Sequence, residues 1–417
     1  MPRYHIWTIG CQMNKAESDR LAACFRLQGY QAAATPESAD IIILNSCVVR
    51  QSAEDRVVNK LNALRSLKRH RPGVTLAVTG CWVDSNTGQL KQDFPHVDLF
   101  FRPGERPGWF EETDWEQAPT DESPPCAYVP IIQGCDNFCT YCIVPYRRGR
   151  ERSRPLPEVV SEVRERVRWG IREVILLGQN VDSYGHDLPD RPDLADLLTE
   201  LNGIDGLARI RFLTNHPKDM SQKLISAIAR LDKVCEHVSL PAQSGSDPVL
   251  KAMKRGYTVE EYRELVERLR RNVPGVALST DVIVGFPTET DARFRETYDF
   301  LEEVRFQTVH VAAYSPRPGT YAARELPDDV PPPEKKCRLA EIERLQERLA
   351  SQTGAGFVGG TVEVLVEGRK AGKWFGRTRT DRLVFFESGE DCRGQLCRVS
   401  IVHGGPWSLR GEAESQG

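Results

Sequence analysis

ADIIILNSC, residues 39–47, decides the fold. Ile41 to Leu44 is an apolar run of strand length with no alternation, and it ends in Asn45, Ser46 and Cys47. A strand that is apolar on both faces must be covered on both faces, which is the habit of parallel sheets whose crossovers carry helices. Working outward, YHIWTIGC (4–11) and TLAVTGC (75–81) repeat the arrangement of an apolar strand followed by a cysteine. Helical periodicity lies between them, over AESDRLAACFRLQGY (16–30), ending at Gly29, and over AEDRVVNKLNALRSLKRH (53–70), stopping before Pro72. Strand–helix–strand repetition predicts an α/β domain built on a parallel sheet. The carboxyl ends of such strands share one edge, where ligand sites gather. Cys11, Cys47 and Cys81, more than thirty positions apart, are therefore expected to converge.

The chain has 417 residues, enough for two or three domains. With 40% hydrophobic and 28% charged residues it has the makeup of a folded globular protein, which excludes wholesale disorder. A net charge of −3 excludes a uniformly basic coat but leaves room for a local basic face. No apolar run approaches the ~20 residues needed to cross a bilayer, so no membrane association is expected. The start, MPRYHIWTIGCQMNK, reads as a strand and a polar turn rather than a signal peptide, so a cytoplasmic location is the default expectation.

EETDWEQAPTDESPP (111–125) is acidic, proline-bearing and aperiodic, and marks a linker. It places the first domain at 1–117. A second α/β stretch follows over 118–353. Its strands are EVILLG (173–178), RIRFL (209–213), HVSLP (237–241), STDVIVGF (279–286) and TVHVAAYS (308–315). Polar residues sit at the strand ends: Gln179 and Asn180, His216, Gln243 to Ser246, and Ser315 to Arg317. The strands number fewer than eight, so a partial (β/α) barrel of TIM-like type is expected, with its site at those ends. After LPDDVPPPEKK (326–336) and the charged helix CRLAEIERLQERLA (337–350) the texture changes. Short alternating strands with glycine turns predict a small all-β barrel over 354–417.

Twelve cysteines in a reducing compartment point to metal or redox chemistry rather than disulfides. Cys135, Cys139 and Cys142 form a C-x3-C-x2-C within eight residues, so one loop can bring three thiolates to one metal centre. A tetrahedral zinc would want a fourth ligand. An iron–sulfur cubane usually has four cysteines, so three leave one iron open for a substrate. Cys11, Cys47 and Cys81 repeat that logic. Both a zinc knuckle and buried structural cysteines remain open at this point.

GCDNFCTYC (134–142) resembles the cluster loop of the radical S-adenosylmethionine enzymes. In that family the open iron of a [4Fe–4S] cluster chelates S-adenosylmethionine, and an electron cleaves the sulfonium to give a 5′-deoxyadenosyl radical. The contexts IGCQMN, LNSCVV and VTGCWV resemble the amino-terminal domain of the methylthiotransferase subgroup, which carries a second, auxiliary [4Fe–4S] cluster associated with sulfur delivery. The resemblance covers nearly the whole chain. It implies that Cys135, Cys139 and Cys142 hold the catalytic cluster, and that Cys11, Cys47 and Cys81 hold the auxiliary one. It implies further that Tyr141 packs near the adenine, and that Gln179, Asn180, Gln243, Ser244 and Asp281 lie around S-adenosylmethionine. CIVPYRRGRERSRP, LLGQNVDSYG, HPKDM, LPAQSGSDPVLKAMKRGYT, STDVIVGFPTET and YSPRPGT look most like the members that thiomethylate N6-(dimethylallyl)adenosine at position 37 of tRNA. The subgroup's other substrates are N6-threonylcarbamoyladenosine of tRNA and a ribosomal protein aspartate. Asn215, where a serine usually precedes the HP dipeptide, and WVDSNTGQL (82–90) depart from the pattern.

The implied partners are the tRNA anticodon stem-loop, S-adenosylmethionine, an electron donor and a sulfur donor. Arg147, Arg148, Arg150, Arg152 and Arg154 follow the cluster loop and, if extended, could neutralise successive phosphates. In the last domain Lys370, Lys373, Arg377, Arg379 and Arg382 interleave with Trp374 and Phe375, a mixture suited to stacking on bases while tracking the backbone. That domain resembles a TRAM domain, a small barrel associated with tRNA-modifying enzymes. Two readings of another class compete with the enzyme: an iron–sulfur electron carrier or scaffold, and a zinc-stabilised RNA-binding protein without catalysis.

Overall fold

The computed structural model describes residues 1–48, 51–83, 87–105, 107–110 and 125–414, the side chains of residues 51 and 52 excepted. The expected boundary near residue 117, and all but the last residue of the linker over 111–125, lie outside the described residues. The chain forms two compact units: residues 1–122 with 133–138 and 142–152, and residues 123–132 and 139–141 with 153–417.

In the first unit, β1 (Arg3–Thr8), β2 (Gln31–Ala32), β3 (Ile41–Ser46), β4 (Thr75–Gly80) and β5 (Leu99–Phe100) form one sheet in the order β2-β1-β3-β4-β5. All pairings are parallel. Every residue of β3 is buried, because helices cover both faces of the sheet. One core, with Leu44, Val57, Leu61 and Val78, lies on one side of the sheet; the other, with Phe25, Ile41, Ile43 and Ala77, lies on the opposite side. Helix α1 (Gln12–Leu27) starts directly after Cys11, four residues before the apolar periodicity suggests, because Cys11 and Asn14 form a capping box.

In the second unit, six parallel strands among the described residues follow one another in chain order. Cys126–Pro130, Glu173–Leu177 and Arg209–Phe212 form one three-stranded sheet. His237–Ser239, Ala277–Val284 and Thr308–Ala313 form the other, and a bridge from Ile210 to Val234 lies between the two. This is the expected partial barrel with one strand more: CAYVP (126–130) escapes a periodicity reading because it is short and half-covered. The charged helix spans Pro332–Ala355 rather than starting at residue 337, since prolines in a first turn forgo no hydrogen bond. The tail strands Thr361–Lys370, Lys373–Arg377, Leu383–Glu387, Leu396–Gly404 and Leu409–Ala413 close a small barrel around Val364, Val384, Phe386, Val399 and Leu409.

The tail barrel is clasped to the six-stranded stretch by buried arginines. Arg209 donates from Nη1 to the Arg377 carbonyl at 2.7 Å and from Nη2 to Glu363 Oε1 at 2.8 Å. Arg211 donates from Nε to Glu173 Oε1 at 2.9 Å, from Nη1 to the Arg379 carbonyl at 2.7 Å, and from Nη2 to the Thr378 carbonyl. No helix of the described residues is long and apolar enough to cross a membrane.

Candidate functional site

The register of the first sheet places the strand-end cysteines. Thr8 pairs with Asn45, and Asn45 and Ser46 pair with Thr79 and Gly80, so three adjacent strands end level with one another. Cys11, Cys47 and Cys81 follow within three residues of those ends. Their proximity shows in two further ways. A Cβ on Gly10 would stand 3.0 Å from Cys47 Cβ. Burial pushes the Cys81 thiol up to about 12; Arg148 pulls it down, and Glu17, Cys47 and Cys11 add to the rise.

A buried polar network fixes this edge. Asn14 donates from Nδ2 to Asn45 Oδ1 at 2.8 Å, and Asn45 donates from Nδ2 to the Asn14 carbonyl at 2.8 Å and to Ser18 Oγ at 3.0 Å. Ser46 Oγ donates to the Thr79 carbonyl at 2.6 Å. Asn14 Oδ1 accepts from Cys11 Sγ at 3.4 Å. Satisfied amides in a low-dielectric core rigidify what they connect.

Arg148 reaches the same place. Its Nε donates to Cys81 Sγ at 3.0 Å and its Nη1 to Glu17 Oε1 at 2.7 Å. Burial alone would lower the guanidinium, but Glu17 and Cys81 together hold it above its ordinary value.

In the cluster loop, Cys135 and Cys139 are buried and Cys142 is half-buried. Asn137 Nδ2 stands 3.5 Å from Cys135 Sγ, and the Cys135 amide donates to the Gly149 carbonyl at 3.2 Å. Cys139 meets Arg255, whose Nη1 lies 3.4 Å from its sulfur. Arg255 is held by Nη2 on the Pro241 carbonyl at 2.8 Å and Nε on the Tyr257 hydroxyl at 2.9 Å. Among the described residues no three His, Cys, Asp or Glu side chains close around a point as a single metal ion needs. A cubane makes a different demand, since its thiolates sit on separate irons at separate corners. Arg148 at Cys81 and Arg255 at Cys139 each set a positive charge beside a thiol, the surroundings that an anionic iron–sulfur group needs.

In the second unit, Tyr141 packs with Val249, Met253, Phe286, Tyr314 and Ala322, its ring 6.3 Å from that of Phe286. Asn180 donates from Nδ2 to Asp219 Oδ2 at 2.7 Å. Asn180 Oδ1, Asn215 Oδ1 and His216 Nε2 are buried and have no hydrogen-bond partner among the described residues, so these strand ends retain polar capacity for a ligand. Gln179 is half-buried. Gln243 adopts φ +69°, and its backbone pairs with the strand of Asp281: its amide donates to the Asp281 carbonyl at 2.8 Å. Asp281 lies on the strand face opposite Val282 and Val284, which are core residues. Ser244 Oγ and Thr297 Oγ1 share a hydrogen bond at 3.1 Å, which ties that hydroxyl to packing against a helix.

Asp182 accepts from Asn215 Nδ2 and from the His216 amide at 3.0 Å, and burial pushes its carboxyl up to about 7. Such a group holds its proton in the folded chain at pH values where the unfolded chain has lost it, so folding stability falls as pH rises through the interval from about 4 to about 7. Asp182→Asn is expected to gain on the parent by about 1.4 kcal/mol per pH unit across that window, an upper figure, in urea unfolding of the apoprotein. A constant difference would show that Asp182 titrates normally.

The basic candidates divide. Residues Val144–Arg148 form a short helix, α2, rather than an extended run, so neighbouring arginines leave it in different directions. Arg148 turns inward, and its side chain, 2% exposed, is not presented to a phosphate. Arg147 is half-buried. Arg150 is exposed; it forks onto Asp136 at 2.6 and 2.9 Å and lies over the Phe138 ring at 5.8 Å. Arg152 is exposed, and Arg154 pairs with Glu162 at 2.6 Å. In the tail, Arg377 pairs with Asp381 at 3.2 Å and Arg379 with Glu236 at 2.6 Å. Lys373 pairs with Glu387 at 3.1 Å, and Lys370 is exposed. Trp374 and Arg382 are buried in the barrel, so they offer no stacking platform, whereas Phe375 is half-exposed beside Phe385.

Sequence reasoning missed Asn14, Glu17, Asp182 and Arg255. The available signal was weak: a polar side chain beside an apolar strand needs a partner, but the partner's identity is set by the fold.

Residues 129–301 match the Radical SAM superfamily, residues 3–102 the Uncharacterized protein family UPF0004, and residues 356–413 the TRAM domain. The tRNA-2-methylthio-N(6)-dimethylallyladenosine synthase of Dehalococcoides mccartyi (strain CBDB1) is 54% identical over 410 residues, 98% of either chain. The protein of the same name from Roseiflexus sp. (strain RS-1) is 48% identical over 423 residues, 98% of this chain and 89% of that one. Among solved structures, the radical S-adenosylmethionine methyltransferase TsrM from Kitasatospora setae, with cobalamin and a [4Fe-4S] cluster bound, superposes with a TM-score of 0.55 at 15% identity over 78% of each chain, a likeness of fold. The chain therefore belongs to the radical S-adenosylmethionine methylthiotransferases, in the family of the tRNA-2-methylthio-N(6)-dimethylallyladenosine synthases.

Proposed function

We propose that this protein thiomethylates N6-(dimethylallyl)adenosine in the anticodon stem-loop of tRNA. The observation that carries the reading is the level ending of β1, β3 and β4, which brings Cys11, Cys47 and Cys81 to one sheet edge in a chain that also has the GCDNFCTYC loop. Cys135, Cys139 and Cys142 would hold one [4Fe–4S] cluster, and the sheet-edge cysteines a second. Once bound, the clusters supply the electron that cleaves S-adenosylmethionine and the sulfur that enters the product.

The chain's own residues bind and orient. Arg255 holds Cys139 through a guanidinium anchored on Pro241 and Tyr257. Asn14 and Asn45 lock the sheet edge. Asn180, Asn215 and His216 bring unpartnered polar atoms to S-adenosylmethionine, with Gln179, Gln243 and Ser244 just beyond neighbouring strands, Asp281 within one, and Tyr141 packing against the adenine. Arg147 and Arg150, with Arg377, Arg379 and Phe375 of the tail, are the groups offered to RNA; the tail arginines must exchange carboxylates for phosphates. An electron donor and a sulfur donor complete the reaction, and a cytoplasmic location goes with a tRNA substrate.

Nucleoside mass spectrometry of tRNA from a strain lacking the gene tests the substrate. The expected result is loss of the 2-methylthio form with accumulation of its dimethylallyl precursor. Intact thiomethylation there, with loss of the methylthio group from threonylcarbamoyladenosine or from a ribosomal protein, would move the assignment to that substrate.

A further inference from the structure

Arg148 lies beside a proposed cluster ligand rather than on the surface facing RNA. A guanidinium has five N–H groups to satisfy, and a buried one cannot leave them to water. Arg148 directs Nε to Cys81 Sγ at 3.0 Å and Nη1 to Glu17 Oε1 at 2.7 Å. Its Nη2 is buried and has no hydrogen-bond partner among the described residues. The group is planar, so the Nε–H and one Nη2–H run parallel as a fork. With one prong on Cys81, the other runs alongside it toward the same side.

We propose that Arg148 is a positioning residue for the auxiliary cluster. Its second prong donates to another sulfur of the group that Cys81 ligates, while Glu17 fixes the plane of the guanidinium and balances its charge. The inference rests on the reading that Cys11, Cys47 and Cys81 hold a cluster. Hydrogen bonds and positive charge at the sulfurs favour the more negative, reduced state and so raise the reduction potential. The half-buried Glu17 carboxylate opposes this. Arg148 and Glu17 therefore act with opposite sign, and Arg148, in contact with the sulfur, acts more strongly.

The test uses the full chain with Cys135, Cys139 and Cys142 replaced by alanine, reconstituted anaerobically with iron and sulfide, so that only the sheet-edge cluster can assemble. Iron and acid-labile sulfide are measured first; one [4Fe–4S] cluster per chain is expected. Redox titration followed by electron paramagnetic resonance comes second. Arg148→Gln is expected to lower the midpoint potential and change the line shape, Arg148→Lys to recover part of the shift through charge without the fork, and Glu17→Gln to raise the potential. Unchanged potential and line shape in Arg148→Gln at full cluster content would overturn the inference. If Arg148→Gln fails to assemble a cluster, Glu17→Gln decides, since it leaves the guanidinium in place: an upward shift supports the assignment, and no shift removes it. A parent lacking iron brings down the cluster reading and the inference with it, so metal content reports on the first and potential on the second.

Discussion

Cys47→Ala is expected to stop formation of thiomethylated nucleoside while leaving cleavage of S-adenosylmethionine to 5′-deoxyadenosine measurable; Cys135→Ala is expected to stop both. The contrast follows from where the two thiols sit. Cys47 closes β3, the central strand of the first sheet, between the strands that lead to Cys11 and Cys81. Without it two thiolates remain at that edge, too few for a cubane that already lacks a fourth. Cys135 belongs to the separate loop that Asn137 and the Gly149 carbonyl support. The drop in thiomethylated product should exceed about 100-fold, the upper end of what losing an outer-shell partner costs a metal site. Single-turnover assays that quantify both products by mass spectrometry check it. Full product from Cys47→Ala would remove the sheet-edge thiols from the chemistry.

Gly80→Ala is expected to destabilise the first unit by about 3–5 kcal/mol, an effect of the size reserved for core strain. Gly80 adopts φ +96°, and a Cβ there would stand 2.2 Å from the Ser46 carbonyl oxygen and 2.5 Å from the Ser46 amide nitrogen. Both atoms belong to β3, which is paired with Gly80 in register, so neither can rotate away. The methyl would push apart the two strands that deliver Cys47 and Cys81. Denaturant unfolding of the apoprotein measures the loss, and a midpoint within error of the parent would show that this edge is softer than its geometry implies.

Both predictions concern an edge that was largely legible in the amino-acid sequence. An unbroken apolar run such as Ile41 to Leu44 has one stable environment, a strand covered on both sides, and parallel strands share an end. What could not be read was the direction taken by polar side chains. The run from Arg147 to Arg154 looks uniform as text, yet α2 sends Arg148 to Glu17, 131 positions away. Nothing local marks that pairing, since a surface arginine and a buried one differ only in their surroundings. Trp374 is similar: next to Lys373 it resembles a stacking surface, but the strand alternation turns it into the barrel core. Cys126–Pro130 was missed for the opposite reason, because a short strand with alternating burial carries little pattern of its own.

The clasp on the tail barrel has a consequence for how the chain can change. Arg209 and Arg211 grip the carbonyls of residues 377, 378 and 379. Carbonyls are present whatever amino acid carries them. Substitutions in that turn can therefore accumulate, and the outer face of the barrel can be refitted to a different nucleic acid, while the joint holds as long as the turn keeps its shape. Excision is another matter. Cutting the tail away would take most of the acceptors of these two arginines with it and leave Arg211 only Glu173, so this appendage is free to diversify in sequence but not to be shed without loss.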